Sequence, residues 1–305
     1  MLTWHAHGRT FPPHGASLPS WIGGHGALPF AVPSTGRTAR VFFSGRDEQN
    51  RAHVGACSMR LDDLSIAPGS ITGEPLVVPG PAGTFDESGC SMSCIVQQDG
   101  RWFLYYTGWM LGRTVPFYLA IGLAVSDDGG QTFRKHSLAP ILDRGDVDPL
   151  LTASPSVLHE DGCWRMWYVS AVKWEPHAKG PRHHYLIKYA ESRDGISWQR
   201  DGRIAIAFDS PEEYAMGRPH VVHDGDRYRM WFCVRGDRYR IAYAESADGL
   251  GWRRIRHSSP AVEDWDAEMQ AYPMVLPDGP RWLMLYNGNS YGATGFGCAT
   301  AERVP

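Results

Sequence analysis

Short apolar runs of strand length recur along the chain, each introduced by an Asp-Gly pair and closed by an aromatic residue. One reads Asp99-Gly100-Arg101-Trp102-Phe103-Leu104-Tyr105-Tyr106 and another Asp161-Gly162-Cys163-Trp164-Arg165-Met166-Trp167-Tyr168. Further copies run from Asp224-Gly225 to Trp231-Phe232 and from Asp278-Gly279 to Tyr286, so the leading Asp residues lie 62, 63 and 54 positions apart. A repeat of that size, made of short strands and Gly turns, predicts an all-β fold, a β-propeller.

Each Asp-Gly turn joins an inner strand to a second strand. Predicted inner strands read Pro29-Phe30-Ala31-Val32, Ser93-Cys94-Ile95-Val96, Pro155-Ser156-Val157-Leu158, Pro219-His220-Val221-Val222 and Pro273-Met274-Val275-Leu276, which makes five blades. Third strands follow, as in Ile187–Ser192 and Ile241–Ser246, where apolar and polar positions alternate. After them come second turns, Asp194-Gly195 with Trp198 and Asp248-Gly249 with Trp252. The last blade lacks an outer strand. Trp4-His5-Ala6-His7-Gly8-Arg9-Thr10-Phe11 parallels Trp198-Gln199-Arg200-Asp201-Gly202-Arg203-Ile204-Ala205. Residues 2-11 are therefore expected to supply that strand and close a single domain, 1-305, without an open sheet edge.

Composition narrows the partners. A formal charge of -3 with no basic run among aromatics argues against nucleic acid. Apolar stretches stay far below the roughly 20 residues that span a bilayer, so no membrane partner is expected. The first 30 residues lack a basic start followed by an apolar core, so a cytoplasmic location is expected. Six scattered cysteines read as reduced, buried thiols, and no metal or other cofactor is expected.

The segments just ahead of the inner strands carry the candidate chemistry. In four of the five blades a carboxylate sits five to seven residues before the position of Ser93, Pro155, Pro219 or Pro273. These acids are Asp86 and Glu87, Asp148, Glu213, and Asp266 and Glu268. Acids converging on one channel could serve glycosyl transfer, one giving a proton to the leaving oxygen and another staying ionised. Glu87, Asp148, Glu213 and Glu268 are the expected catalytic acids, with Glu213 as proton donor and Asp148 as its ionised partner. The alternative is that they are solvated loop residues. Arg218 and His220 flank one strand entrance, where they could hold an anion or a hydroxyl, or be structurally satisfied. Trp109, Trp174, Tyr214, Trp265, Tyr272 and Tyr291 are candidates for stacking on sugar faces.

The chain resembles the five-bladed β-propeller glycosidase superfamily of arabinosidases, xylosidases, invertases, levansucrases and mannoside phosphorylases. The residues that carry the likeness are Ser154-Pro155-Ser156-Val157 followed by Asp161–Tyr168, and the turns Ser192–Trp198 and Ser246–Trp252. Ser126-Asp127-Asp128-Gly129-Gly130-Gln131-Thr132-Phe133 looks like the Asp-box turn of sialidases, a structural element. The resemblance implies an enzyme that cleaves or transfers a glycosidic bond of a carbohydrate or sugar-like metabolite. It also implies an acid at the start of blade one, where this chain departs: the blade-one entrance is Gly24-His25-Gly26-Ala27, and no Asp or Glu precedes Asp47. Three expectations stay open: acids on the other blades act alone, His25 serves as base, or the chemistry is a lyase, isomerase or cyclase type. A carbohydrate-binding propeller without catalysis is the other class. His25, Asp86, Arg218, His220, Asp266, Gln270 and Tyr272 are the expected substrate-binding residues.

Overall fold

The structure is a computed structural model describing residues 2–178, 180–257 and 259–303. It begins with β1 (His5–Phe11) and then runs through a series of antiparallel meanders. The first holds β2 (Gly24–Pro33), β3 (Thr38–Arg46) and β4 (Ala52–Arg60). The second holds β5 (Gly89–Gln98), β6 (Arg101–Leu111), β7 (Phe117–Ser126) and β8 (Arg134–Lys135). Next come β9 (Thr152–Glu160), β10 (Cys163–Glu175), β11 (Arg182–Ser192), β12 (Trp198–Gln199) and β13 (Ile204–Ile206). They are followed by β14 (Ala215–Asp224), β15 (Arg227–Arg235), β16 (Tyr239–Ser246) and β17 (Arg253–Ile255). The last meander is β18 (Ala271–Asp278), β19 (Arg281–Asn287) and β20 (Phe296–Glu302).

Turn chemistry explains the hairpins. Asp99 and Gly100, like Asp161 and Gly162, both adopt positive φ between strands separated by two residues, which is the backbone a type I′ turn demands. Aromatic residues on the second strands then pack between neighbouring meanders, as Trp167 does against Tyr228 at 6.0 Å between ring centres. Single parallel pairs, Ala52 with Gly89 and Tyr185 with Ala215, bridge adjacent meanders.

Around the centre, β2 contacts β5, β5 contacts β9, β9 contacts β14, β14 contacts β18, and β18 returns to β2. β1 pairs antiparallel with β20, His5 facing Thr300 and Phe11 facing Phe296. Trp4 packs edge-on to Trp231 at 6.4 Å, and Phe11 stacks on Phe296 at 5.0 Å. That seating needs a glycine at position 26, where a Cβ would fall 2.2 Å from the Phe11 ring.

Every inner strand is bulged at the same place. Register slips occur between Ala27 and Phe30, Met92 and Cys94, Ala153 and Ser156, Gly217 and His220, and Ala271 and Met274. Leu28, Ser154, Arg218 and Tyr272 each take positive φ immediately before a proline. A left-handed residue at a bulge re-aims its side chain out of the pleat, and such strain gathers where a site is built. All six cysteines are free, and five of them are buried. Among the described residues, no helix is long and apolar enough to cross a membrane.

Candidate functional site

The aligned acids do converge on a shared motif, but it belongs to the walls of the meanders. Asp86 accepts a hydrogen bond from Tyr106 at 2.9 Å, Asp148 from Tyr168 at 2.8 Å and Asp266 from Tyr286 at 3.0 Å, each tyrosine lying 20 residues on. A cation from the outer edge completes most of these staples. Lys135 meets Asp86, Arg200 meets Asp148 at 2.9 Å, and Arg254 grips Glu213 with two bonds of 2.7 and 2.8 Å. Each cation stands two residues after the aromatic that follows a third strand: Phe133, Trp198 and Trp252. The equivalent of these cations after Trp4 is Ala6, and there Gln270 replaces the cation, donating to Asp266 at 2.8 Å.

This geometry places the expected catalytic acids outside the cavity lining and gives three of them partners within the protein. Asp148 is fully buried and also takes hydrogen bonds from Ser170 and Lys188, so its oxygens are committed to the protein. Burial pushes the Glu213 carboxyl up, but the Arg254 fork and the Asp209 amide outweigh it and hold the group below its ordinary value. A carboxyl so held is ionised at neutral pH. Glu87 accepts from the Gly83 amide within its own loop at 2.6 Å, and Glu268 is exposed. None of the four lines the central cavity.

The expected substrate-binding set divides. Arg218 is 1% exposed and spans the centre, donating to the carbonyls of Met92, Pro29 and Ser93 at 3.2, 3.1 and 2.9 Å. Burial lowers its guanidinium to about 10, so it stays charged and acts as a cross-brace. His220 bonds the Val275 carbonyl at 2.7 Å, and Gln270 is spent on Asp266 and the Pro260 carbonyl. Asp86 and Asp266 are staples. These five bond within the protein, although the Gln270 side-chain oxygen is left without a partner. His25 and Tyr272, by contrast, do reach open space.

That space is a cavity of about 400 Å³ where the bulged inner strands meet the ends of the second and third strands. Its aromatic wall is Trp109, Phe117, Tyr185, Tyr239, Tyr272 and Tyr291. Its polar positions are Arg46, Asn50, Ser91, Thr107, Ser154 and His183, with no carboxylate in the lining. A chamber of about 120 Å³ adjoins it, bounded by His25, Ser44, Arg46, Ser91, Tyr272 and Tyr291 among others. Tyr214, Trp174 and Trp265, expected to stack on sugar, lie outside both linings.

Electrostatics follow from burial. Desolvation and the Arg46 charge lower His25 to about 4, and desolvation with the Arg235 and His184 charges lowers His183 to about 4. Both imidazoles are neutral at pH 7. The Tyr185, Tyr239 and Tyr272 phenols are raised well above their ordinary value by burial and remain donors. Among the described residues, no cluster of His, Cys, Asp and Glu is arranged to hold a metal.

Over 306 aligned positions, 99% of this chain and all of the relative, the sequence is 39% identical to "Uncharacterized protein Rv1502" of Mycobacterium tuberculosis (strain ATCC 25618 / H37Rv). The chain belongs to the Rv1502 family. No family model matches it. A stretch of 104 residues, 32% of this chain and 35% of the relative, is 28% identical to "1,2-beta-oligomannan phosphorylase" of Thermoanaerobacter sp. (strain X514). A solved structure described as "Glycoside hydrolase" matches with a TM-score of 0.74 at 16% identity, covering 99% of this chain and 92% of that one. The fold of this Rv1502-family member is thus similar to that of the five-bladed β-propeller glycosidases and phosphorylases.

Sequence reading missed Arg46, Phe117, His183, Tyr185 and Tyr239. All five stand where second strands end or third strands begin, away from the inner-strand entrances that drew attention. The available signal was length: β3 runs past its aromatic pair to Arg46, and β11 starts at Arg182, well before the alternating Ile187–Ser192 run.

Proposed function

We propose that the protein recognises a carbohydrate or sugar-like metabolite in the central cavity, holding it by ring stacking and hydrogen bonds and not by a cleaving pair of acids. The observation that carries this reading is the wall itself: Trp109, Tyr239, Tyr272 and Tyr291 converge on one space whose lining has no carboxylate. Aromatic faces suit the apolar faces of sugar rings, while Ser91, Thr107, Ser154 and Asn50 supply hydrogen bonds to hydroxyls. Two-acid hydrolysis needs carboxyl groups about 5–5.5 Å or roughly 6.5–9.5 Å apart across the substrate. The lining offers no such pair. Glycosyl transfer is the second reading, favoured by the local likeness to 1,2-beta-oligomannan phosphorylase.

The reading also rests on five blades forming one ring over residues 1-305, the outer strand of the last blade coming from residues 2-11. Support comes from the β1–β20 pairing and from the closed circuit of inner strands.

Calorimetric titration of the full chain against a glycan panel tests the recognition, with product analysis on the same mixtures testing transfer. Trp109→Ala is expected to weaken the bound glycan by roughly tenfold, the loss of one good stacking contact. A panel without any binder, or a Trp109→Ala protein that binds as the parent does, overturns the reading.

A further inference from the structure

We propose that one end of the central cavity is built for a short acyl group, so that the sugar-like ligand carries an N-acetyl or O-acetyl substituent. The proposal rests on the carbohydrate reading of the cavity and adds the chemistry of what that sugar bears.

The cavity has two unlike halves. In one, Ser91 faces Thr107 across β5 and β6, while Arg46 bonds Asn50 at 2.9 Å and lies 5.8 Å from the centre of the Trp109 ring. In the other, Phe117, Leu119, Ala153 and Val169 line the space together with Tyr185 and Tyr239, and all six belong to one apolar cluster. Sugar hydroxyls suit the first half. The second calls for an apolar part of the ligand.

Its two phenols narrow that part further. Seven other tyrosines of the chain are buried, and each of their hydroxyls bonds a carbonyl or a carboxylate, as Tyr105 does with the Gly195 carbonyl at 2.8 Å and Tyr243 with Glu245 at 2.7 Å. Tyr185 and Tyr239, 7% and 5% exposed, have no hydrogen-bond partner among the described residues. His183 stacks on Tyr185 at 4.1 Å, and its Nε2 is likewise unbonded. An unbonded buried polar atom costs stability, and its setting in a cavity wall marks where a ligand supplies the partner. The Tyr185 and His183 atoms are also closed over, so a ligand engages them only as the wall shifts to meet it; Tyr239 is the donor already at the cavity surface.

An acyl group meets both demands of this end. Its carbonyl accepts a hydrogen bond from a phenol, and its methyl packs on Leu119 and Val169. In an amide, the N–H can also donate to the imidazole of His183, which is neutral at pH 7. A plain alkyl group would leave the phenols unbonded. A carboxylate would lack a counter-charge here: Arg46, the one Arg or Lys in the lining, sits in the other half, and Arg235, 5.2 Å from the Tyr239 ring centre, is not part of the lining. About 400 Å³ holds roughly thirteen waters at liquid density, room for one sugar ring and a small substituent.

Calorimetric titration of the full chain compares glucose with N-acetylglucosamine and with 6-O-acetylglucose, and mannose with N-acetylmannosamine. Acetylated members are expected to bind roughly 10- to 50-fold more tightly, the gain from one buried methyl and one hydrogen bond. A larger gain for the amide assigns the acyl group to nitrogen, and a larger gain for the ester assigns it to oxygen. Tyr239→Phe should cut the preference roughly 3- to 10-fold. Tyr185→Phe should cut it too while melting no lower than the parent, because the hydroxyl removed has no partner in the protein. Acetylated and plain sugars bound alike, or a preference untouched by both substitutions, overturns the acyl end and leaves the sugar reading standing. N-acetylethanolamine bound as tightly as N-acetylglucosamine, in a Tyr239-dependent way, does the reverse. Glucuronate bound more tightly than any acetylated sugar overturns the acyl end in favour of an anion, and a series without any binder overturns both readings.

Discussion

Replacing Asp148 by asparagine separates a structural role for the aligned acids from a chemical one. In the native protein the carboxylate is wholly buried and faces Lys188 at 3.0 Å and Arg200 at 2.9 Å, with Tyr168 and Ser170 also donating to it. An amide keeps part of the hydrogen bonding but turns N–H groups toward two cations and leaves both without a counter-charge. Removing one partner of a buried ion pair costs about 3–5 kcal/mol. At about 2.1 cal/mol/K of unfolding entropy per residue, a chain of 305 residues loses roughly 1.6 °C of midpoint per kcal/mol. The expected drop is therefore roughly 5–8 °C, read by calorimetry or by circular dichroism on heating. Glu268→Gln is the internal comparison: this exposed side chain should change stability by less than about 0.5 kcal/mol. Ligand binding by the folded Asp148→Asn protein should match the parent. An Asp148→Asn protein that melts with the parent yet loses binding or turnover would refute the staple reading and restore the acid to the site.

Three further outcomes follow from the same structure. Trp4→Ala removes a side chain only 4% exposed that packs on Trp231, and should cost about 3–5 kcal/mol in denaturant unfolding; an unchanged midpoint would argue against β1 as an integral strand. Arg218→Met strips the donors from the Met92, Pro29 and Ser93 carbonyls, each orphaned carbonyl costing about 1–3 kcal/mol, so poor soluble yield or a sharply lowered melting temperature is expected. His220 gives a pH dependence. Its imidazole is lowered to about 4, chiefly by burial, so between about 4 and 6.5 the unfolded chain binds more protons than the folded one. Stability should be full above pH 6.5 and fall as the pH drops toward 4, by roughly 3 kcal/mol for this group at about 1.4 kcal/mol per pH unit. A His220→Gln protein with the same acid slope would count against that assignment.

The strands were legible because their signals are local. Asp-Gly turns specify hairpins through backbone conformation, and the aromatic runs that follow them need only be buried to form the second strands. Even the pairing of β1 with β20 had a local trace, the likeness of Trp4–Phe11 to Trp198–Ala205. The site was less legible, and the acids show why. Spacing aligns Asp86, Asp148, Glu213 and Asp266 ahead of their inner strands. It could not tell whether a carboxylate at that level faces the centre or the wall, because Lys135, Arg200 and Arg254, which decide the matter, come 41 to 52 residues later. His25 and Tyr272, singled out by their place before inner strands, do line open space. Arg46 was not singled out, since an Arg-Asp pair at a strand end reads as an ordinary surface turn.

Arg218 has one more consequence. By lashing β2 and β5 to β14 just beyond Gly217, which still lines the cavity, it bars the middle of the molecule. Inner strands from three separate meanders thus hang on one side chain, so slack introduced into any of them would be passed to the other two.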